Sequence, residues 1–313
     1  MIQIPYIAAY VAIGAFTLIV MARILMWARM PMHLRWELYP VAHEAKKAHY
    51  GGSYLEESEW WTKPREQSLW GELKVMIPEI LFLVALKENN PRLWYRSFPF
   101  HFGLYWVIGC TFLMGISGIL SLVAPAAVEN GPGTVLQYAT VVLGGGGLCL
   151  SLAGALGLLH QRLSNQDLRD FTAPADIFNL VFFVIAFGLA FVNFAIIDPD
   201  YSKTTLFVKN LMTGNLASMA GTGLEAILPA ITICAMSLLV IYIPLTHMSH
   251  FIGKYFAYHS IRWNDSPNMP GSKQERTINE LLKQPISWAA PHIKADGRKT
   301  WVDVATDTSS EDQ

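Results

Sequence analysis

Three histidines in this sequence are placed where they could do chemistry. His101 lies in SFPFHFGLYWVIGCTFLMGISG, residues 97–118. His247 and His250 lie in IYIPLTHMSHFIGKYFAYHSIRW, residues 241–263, one helical turn apart if the helix continues. Each stands at the polar edge of a long apolar run. Ligand-competent side chains are rare in such places, and by default they mark function. Two neutral imidazoles from facing helices close both axial positions of a haem iron, so His101 and His250 are the candidate iron ligands of a b-type haem. His247 competes with His250 on its own helix; otherwise it would hydrogen-bond a propionate, a quinone oxygen or the backbone. Arg96, Arg162 and Lys254 share the same edge and could neutralise haem propionates. The ordinary alternative is that these histidines are merely interfacial or hydrogen-bonded. Patterning alone leaves both readings open.

The elements that must position them are membrane spans. Of 313 residues 52% are hydrophobic and 15% charged, well below the charge content of a soluble domain. The mean hydropathy is +0.31, and the apolar residues are clumped into runs of bilayer length. The net charge of −1 gives no reason to expect a nucleic-acid partner. Cys110, Cys149 and Cys234 lie singly within apolar segments, so no zinc or iron–sulfur site of the chain's own is expected.

Five spans are predicted, over 4–27, 98–123, 135–159, 177–197 and 224–250. The first is followed by Arg29 and lacks a cleavage-site pattern, so it reads as an anchor rather than a signal peptide. Basic residues after it, around Arg162 and after His250 place the N-terminus outside (periplasmic) and the C-terminus inside. His101 and His250 then lie at similar depth on the cytoplasmic side. The fold class is an all-α integral membrane bundle of five transmembrane helices, with an interfacial cytoplasmic helical segment and a cytoplasmic tail. The divisions are 1–30 (first helix), 31–96 (interfacial segment), 97–257 (four-helix core) and 258–313 (tail).

Within the interfacial segment, 75–86 is apolar but too short to span. His33, His43 and His49 sit in polar sequence and read as surface or partner-contact histidines. His160, at the inner edge, reads as a headgroup-level residue. A short surface helix is expected within 205–219. Ser272 and Glu275 form a capping-box pattern opening a helix, and after Pro285 the polar chain is expected to be ordered only by a partner. Glu225 and Asp176 are candidate proton acceptors whose ordinary role is interfacial or helix-capping. No internal repeat and few mid-span charges disfavour a transporter.

Three separated motifs, PFHFGLYWVIG, LLHQRLSNQDLR with PADIFNLVFFV four residues on, and YIPLTHMSHF, resemble the gamma subunit family of respiratory nitrate reductase, a membrane cytochrome b. The resemblance covers roughly 98–257. The stretch MHLRWELYPVAHE is similar to the branch found in energy complexes of sulfate-reducing bacteria, beside heterodisulfide-reductase-like iron–sulfur subunits and, in some complexes, multihaem cytochrome c. The resemblance implies a five-helix bundle in the bacterial inner membrane that exchanges electrons with menaquinone through haem b. The family's four histidine positions fall on His101, Thr111, Thr232 and His250. Threonine does not replace imidazole on such an iron, so one haem is expected, unless His160 or His247 serves a differently placed second one. The competing expectation is a haem-free membrane anchor for a redox complex.

Overall fold

A computed structural model of the chain describes residues 3–30, 41–44, 53–65, 68–128, 130–216, 222–289, 293 and 295–307. Its helices, in chain order, are α1 (Ile4–Ala28), α2 (Leu69–Phe82), α3 (Val84–Asn89), α4 (Pro91–Val123), α5 (Pro125–Val128), α6 (Gly131–Ser164) and α7 (Gln166–Arg169). They continue with α8 (Pro174–Ile196), α9 (Ser202–Thr213), α10 (Leu224–Leu245), α11 (His250–Phe256), α12 (Lys273–Leu282) and α13 (Trp301–Ala305). No strand occurs among the described residues. The chain divides into two compact units. The bundle unit comprises Met1–Ile19 with Met76–His247; the polar unit comprises Val20–Val75 with Met248–Gln313.

Five helices, α1, α4, α6, α8 and α10, are long and apolar enough to cross a bilayer, and the chain is a multi-pass membrane protein. At about 1.5 Å per residue even the shortest of them matches a hydrocarbon core of about 30 Å. Leu18 and Phe112, on two of these helices, are about 70% exposed, 72% and 70%, as expected where lipid solvates the side chain.

Within the bundle, α4 lies against α6, α6 against α8, α8 against α10, and α9 against α4. Glycine makes the α4–α6 contact possible. A Cβ at Gly154 would fall 2.4 Å from the Phe100 amide nitrogen, and one at Gly103 would fall 2.5 Å from that of Ser151. The two backbones therefore meet almost without intervening side chains, the usual way membrane helices gain packing without a hydrophobic driving force. The N-terminal end of α1 is fixed by a Tyr6–Phe207 ring stack, 4.5 Å between centroids, and by Asn210 donating to the Tyr6 hydroxyl at 3.3 Å.

Several expectations are corrected. The second span begins seven residues early, because Asn90 caps the Leu93 amide (3.1 Å) and Pro91 opens the helix. The 75–86 run is not one element: Leu83 adopts a left-handed conformation, φ 51°, that separates α2 from α3. The fifth span does not reach His250. It stops at Leu245, because Thr246 turns extended at φ −106°, ψ −176° and takes the following amides out of the helical ladder. His247 lies in the 3-10 turn that follows, and His250 opens α11.

The described residues after Pro285 are ordered within this chain. The Ile286 amide donates to the Lys299 carbonyl at 2.9 Å, Ile286 is buried, and Thr300 caps α13. The Ser272 cap forms, with the Glu275 amide donating to Oγ at 3.1 Å. The Glu275 carboxylate takes the Gly271 amide (2.7 Å).

Candidate functional site

His101 lies in the N-terminal third of α4, half-buried, beside the contact with α6. Its Nδ1 is 2.8 Å from the Ser97 carbonyl oxygen, one helical turn back, and 3.3 Å from the Ser97 hydroxyl. A carbonyl can only accept, so the ring proton sits on Nδ1 and the lone pair of the neutral ring on Nε2. Metal-ligating histidines have this arrangement: the outer nitrogen is tied to a carbonyl, which fixes tautomer and ring orientation and raises ligand basicity. The residues present therefore fit a haem iron at His101. Phe100 stands edge-on to the imidazole at 5.3 Å.

Of the other sequence-predicted residues, Arg96 lies on α4 one turn before Phe100, where its side chain borders Gly157 of α6 and donates to the Arg92 carbonyl at 2.8 Å. Arg162 and His247 meet at Asp176. The distances are 4.0 Å from Arg162 Nη1 to Oδ2 and 4.0 Å from His247 Nε2 to Oδ1. Asp176 also accepts the Ala173 amide at 3.1 Å, so it caps α8. His160 is exposed at the end of α6, and Glu225 is exposed in the first turn of α10. His250 and Lys254 lie on α11 in the polar unit, where Lys254 Nζ stands 5.9 Å from the centroid of the Tyr258 ring. His101 and His250 thus belong to different units.

The bundle unit also holds a cavity of about 310 Å³ that sequence reading did not anticipate. Its walls come from α1, α4, α6, α8 and α10, and α9 contributes Phe207, Val208 and Leu211. Thr111 and Thr232 both line it. Tyr201, 8% exposed, packs on Gly144, where a Cβ would lie 2.5 Å from the phenolic oxygen. Asn193, another lining residue, leaves its buried Oδ1 without a hydrogen-bond partner. Asp198 is buried but satisfied by the Lys203 amide (2.9 Å) and the Thr204 amide (2.7 Å) at the start of α9.

The polar unit overturns the reading of His43. It is 7% exposed, with Nε2 2.9 Å from Asp265 Oδ2 and Nδ1 3.3 Å from Glu72 Oε1. Asp265 also accepts from the Tyr54 hydroxyl and from Arg65 Nη1 (3.0 Å). Glu72 reaches His259 at 3.6 Å. Beside this cluster the buried Glu44 accepts from Ser53 Oγ (2.9 Å) and the Tyr54 amide (3.0 Å). Gly71 is required where α2 passes the 41–44 segment, since a Cβ there would lie 2.2 Å from the Ala42 carbonyl oxygen.

The hydrogen bond to Asp265 raises the His43 pKa against the opposing effect of burial, and the charges of Asp265 and Glu72 add to it. For Asp265, burial pushes the pKa up, yet hydrogen bonds from His43 and Tyr54 and the charges of His43 and Arg65 hold it below its ordinary value. Tyr54 is pushed well up by burial and by Asp265. His33 and His49 lie outside the described residues.

No curated protein and no solved structure gave a significant match to the chain. A family profile does match, over residues 86–264, which takes in α4 to α11 and both candidate ligands. With five membrane helices and that match over more than half its length, the chain belongs to the nitrate reductase gamma subunit family, whose members are haem b electron-transfer subunits of membrane redox complexes.

Proposed function

We propose that this chain is the haem b subunit of a respiratory complex in the bacterial inner membrane, passing electrons between the menaquinone pool and a cytoplasmic iron–sulfur subunit of the heterodisulfide-reductase-like kind. The single observation that carries the reading is the His101 imidazole, held by the Ser97 carbonyl as the Nδ1–H tautomer that an iron ligand needs. His250 is the proposed second ligand. Arg96, Arg162 and Lys254 are the proposed propionate partners, and His247 is a polar neighbour to a propionate or quinone oxygen. A haem held this way supplies one-electron redox chemistry. The chain orients the imidazole and sets the charge around the macrocycle. In this reading the N-terminus is periplasmic and the C-terminus cytoplasmic, and the polar unit offers the docking surface for the iron–sulfur partner. A multihaem cytochrome c is a further proposed member of the complex.

The test is a reduced-minus-oxidised spectrum with a pyridine haemochrome assay per polypeptide, on wild type, His101→Ala and His250→Ala. One haem b per chain, lost in both variants, is expected. Two haems would mean that His160 or His247 has been recruited. No haem at all would leave a membrane anchor.

A further inference from the structure

We propose that Phe100 and Phe183 are positioning residues for the His101 imidazole, two buried rings that hold the ligand plane at one angle. The inference rests on the haem reading for the iron and adds a second constraint on its ligand. Three observations support it.

The first is that the hydrogen bonds alone leave the imidazole a freedom. Nδ1 lies 2.8 Å from the Ser97 carbonyl oxygen and 3.3 Å from the Ser97 hydroxyl. Both acceptors belong to one residue and engage one ring nitrogen, which fixes the tautomer. The outer torsion of a histidine is nevertheless broad and roughly two-fold, so the ring plane needs a contact from the side. Phe100 supplies one, with centroids 5.3 Å apart and planes at 89°, inside the range of about 4.5–7 Å for such T-shaped pairs.

The second is that Phe100 has nowhere to retreat. Its backbone lies against Gly154 of α6, where a Cβ would fall 2.4 Å from its amide nitrogen and 2.7 Å from its own Cβ. Its ring meets Phe183 of α8 at 4.9 Å and 89°. Both phenylalanines are buried. Near that contact α8 is tied to α10, since the Tyr242 hydroxyl donates to Asn179 Oδ1 at 2.6 Å.

The third is a contrast along α8. Phe187 is buried as deeply as Phe183 and lies one turn further on, with its ring 5.5 Å from that of Phe183. Among the described residues it makes no ring contact with Phe100. Packing in general therefore separates from bearing on the imidazole. A ligand plane that is fixed in advance changes little between oxidation states, which suits one-electron transfer.

The test uses the purified full chain in detergent, with haem content, a redox titration and the EPR spectrum of the ferric form as readouts. The proteins are wild type, Phe100→Leu, Phe183→Leu and Phe187→Leu, each variant keeping a large apolar side chain and losing one ring. The g anisotropy of a low-spin ferric haem reports the angle between its axial ligand planes, which a general loss of packing does not select. Phe100→Leu is expected to shift and broaden the low-field g signal and to move the midpoint potential. Phe183→Leu does both to a smaller extent, and Phe187→Leu matches wild type. An unchanged signal and potential in Phe100→Leu overturns the proposal, and so does an equal effect of Phe183→Leu and Phe187→Leu. Should Phe100→Leu lose its haem, the comparison of the two α8 variants still decides. If wild type carries no haem, the haem reading falls, and the order parameter of the His101 ring by solid-state NMR decides the positioning: a drop in Phe100→Leu supports it, and an unchanged value overturns it.

Discussion

Two polar groupings in this protein are each centred on a buried side chain and yet differ in kind. Around Asp265 in the polar unit, each of the charged and hydroxyl groups has a partner: His43, Tyr54 and Arg65 converge on one carboxylate, and Glu72 joins His43 to His259. In the bundle unit, Asn193 Oδ1 is buried and has no hydrogen-bond partner. A fully satisfied buried network holds segments together and is hard to remove piecemeal. An unsatisfied buried acceptor is a local cost of about 1–3 kcal/mol. The first grouping reads as a fastening and the second as a local weak point.

The largest expected effect comes from breaking the first. Asp265→Ala takes from the buried His43 its nearer carboxylate, and removing one partner of a buried ion pair costs about 3–5 kcal/mol. Hydrogen exchange of residues 53–65 and 257–266 should accelerate strongly, with exchange in α4 and α6 unchanged. If those polar segments stay protected, the network is not what holds them.

Next in size is a pH effect in the same place. A histidine whose folded pKa is raised contributes stability that is complete below its unfolded value, about 6.5, and is lost as pH rises through the folded pKa. For Asp265, held low, the contribution is present above its unfolded value, about 3.9, and is lost as pH falls through the lower folded pKa. The cluster is therefore tightest between those limits. Exchange in these segments, corrected for intrinsic rate, is expected to rise from pH 6 to pH 9, with about 1.4 kcal/mol lost for each unit by which the His43 pKa is raised. His43→Gln should flatten that rise. A slope that survives the substitution would assign the titration to another group.

How much of this was legible depends on how local the signal is. Five spans are visible because a bilayer demands uninterrupted apolar runs, and runs are local. The His101 tautomer is nearly as local, since its acceptor is the carbonyl one turn back on the same helix. The end of α10 was missed because the chain turns extended at Thr246, which carries no local stop signal, while Pro244 sits inside the helix as packed membrane helices tolerate. His43 was misread because its partner Asp265 lies 222 residues away, and nothing in VAHEAKK indicates that a carboxylate will come back to it. The cavity was invisible for the same reason: its lining comes from α1, α4, α6, α8, α9 and α10, and no single stretch carries its outline. Thr111 and Thr232 could be singled out by resemblance, but only folding shows that both line one space.

The smallest expected effect has the opposite sign from the first and bears most directly on the comparison. If Asn193 is unpaired in the bundle, Asn193→Leu removes a buried acceptor that contributes nothing and replaces it with a side chain of similar size. Thermal stability should then be unchanged or higher by up to about 1 kcal/mol, whereas Asp265→Ala lowers it. A variant less stable than wild type would show that Asn193 already has a structural partner, and the contrast between the two polar groupings would be lost.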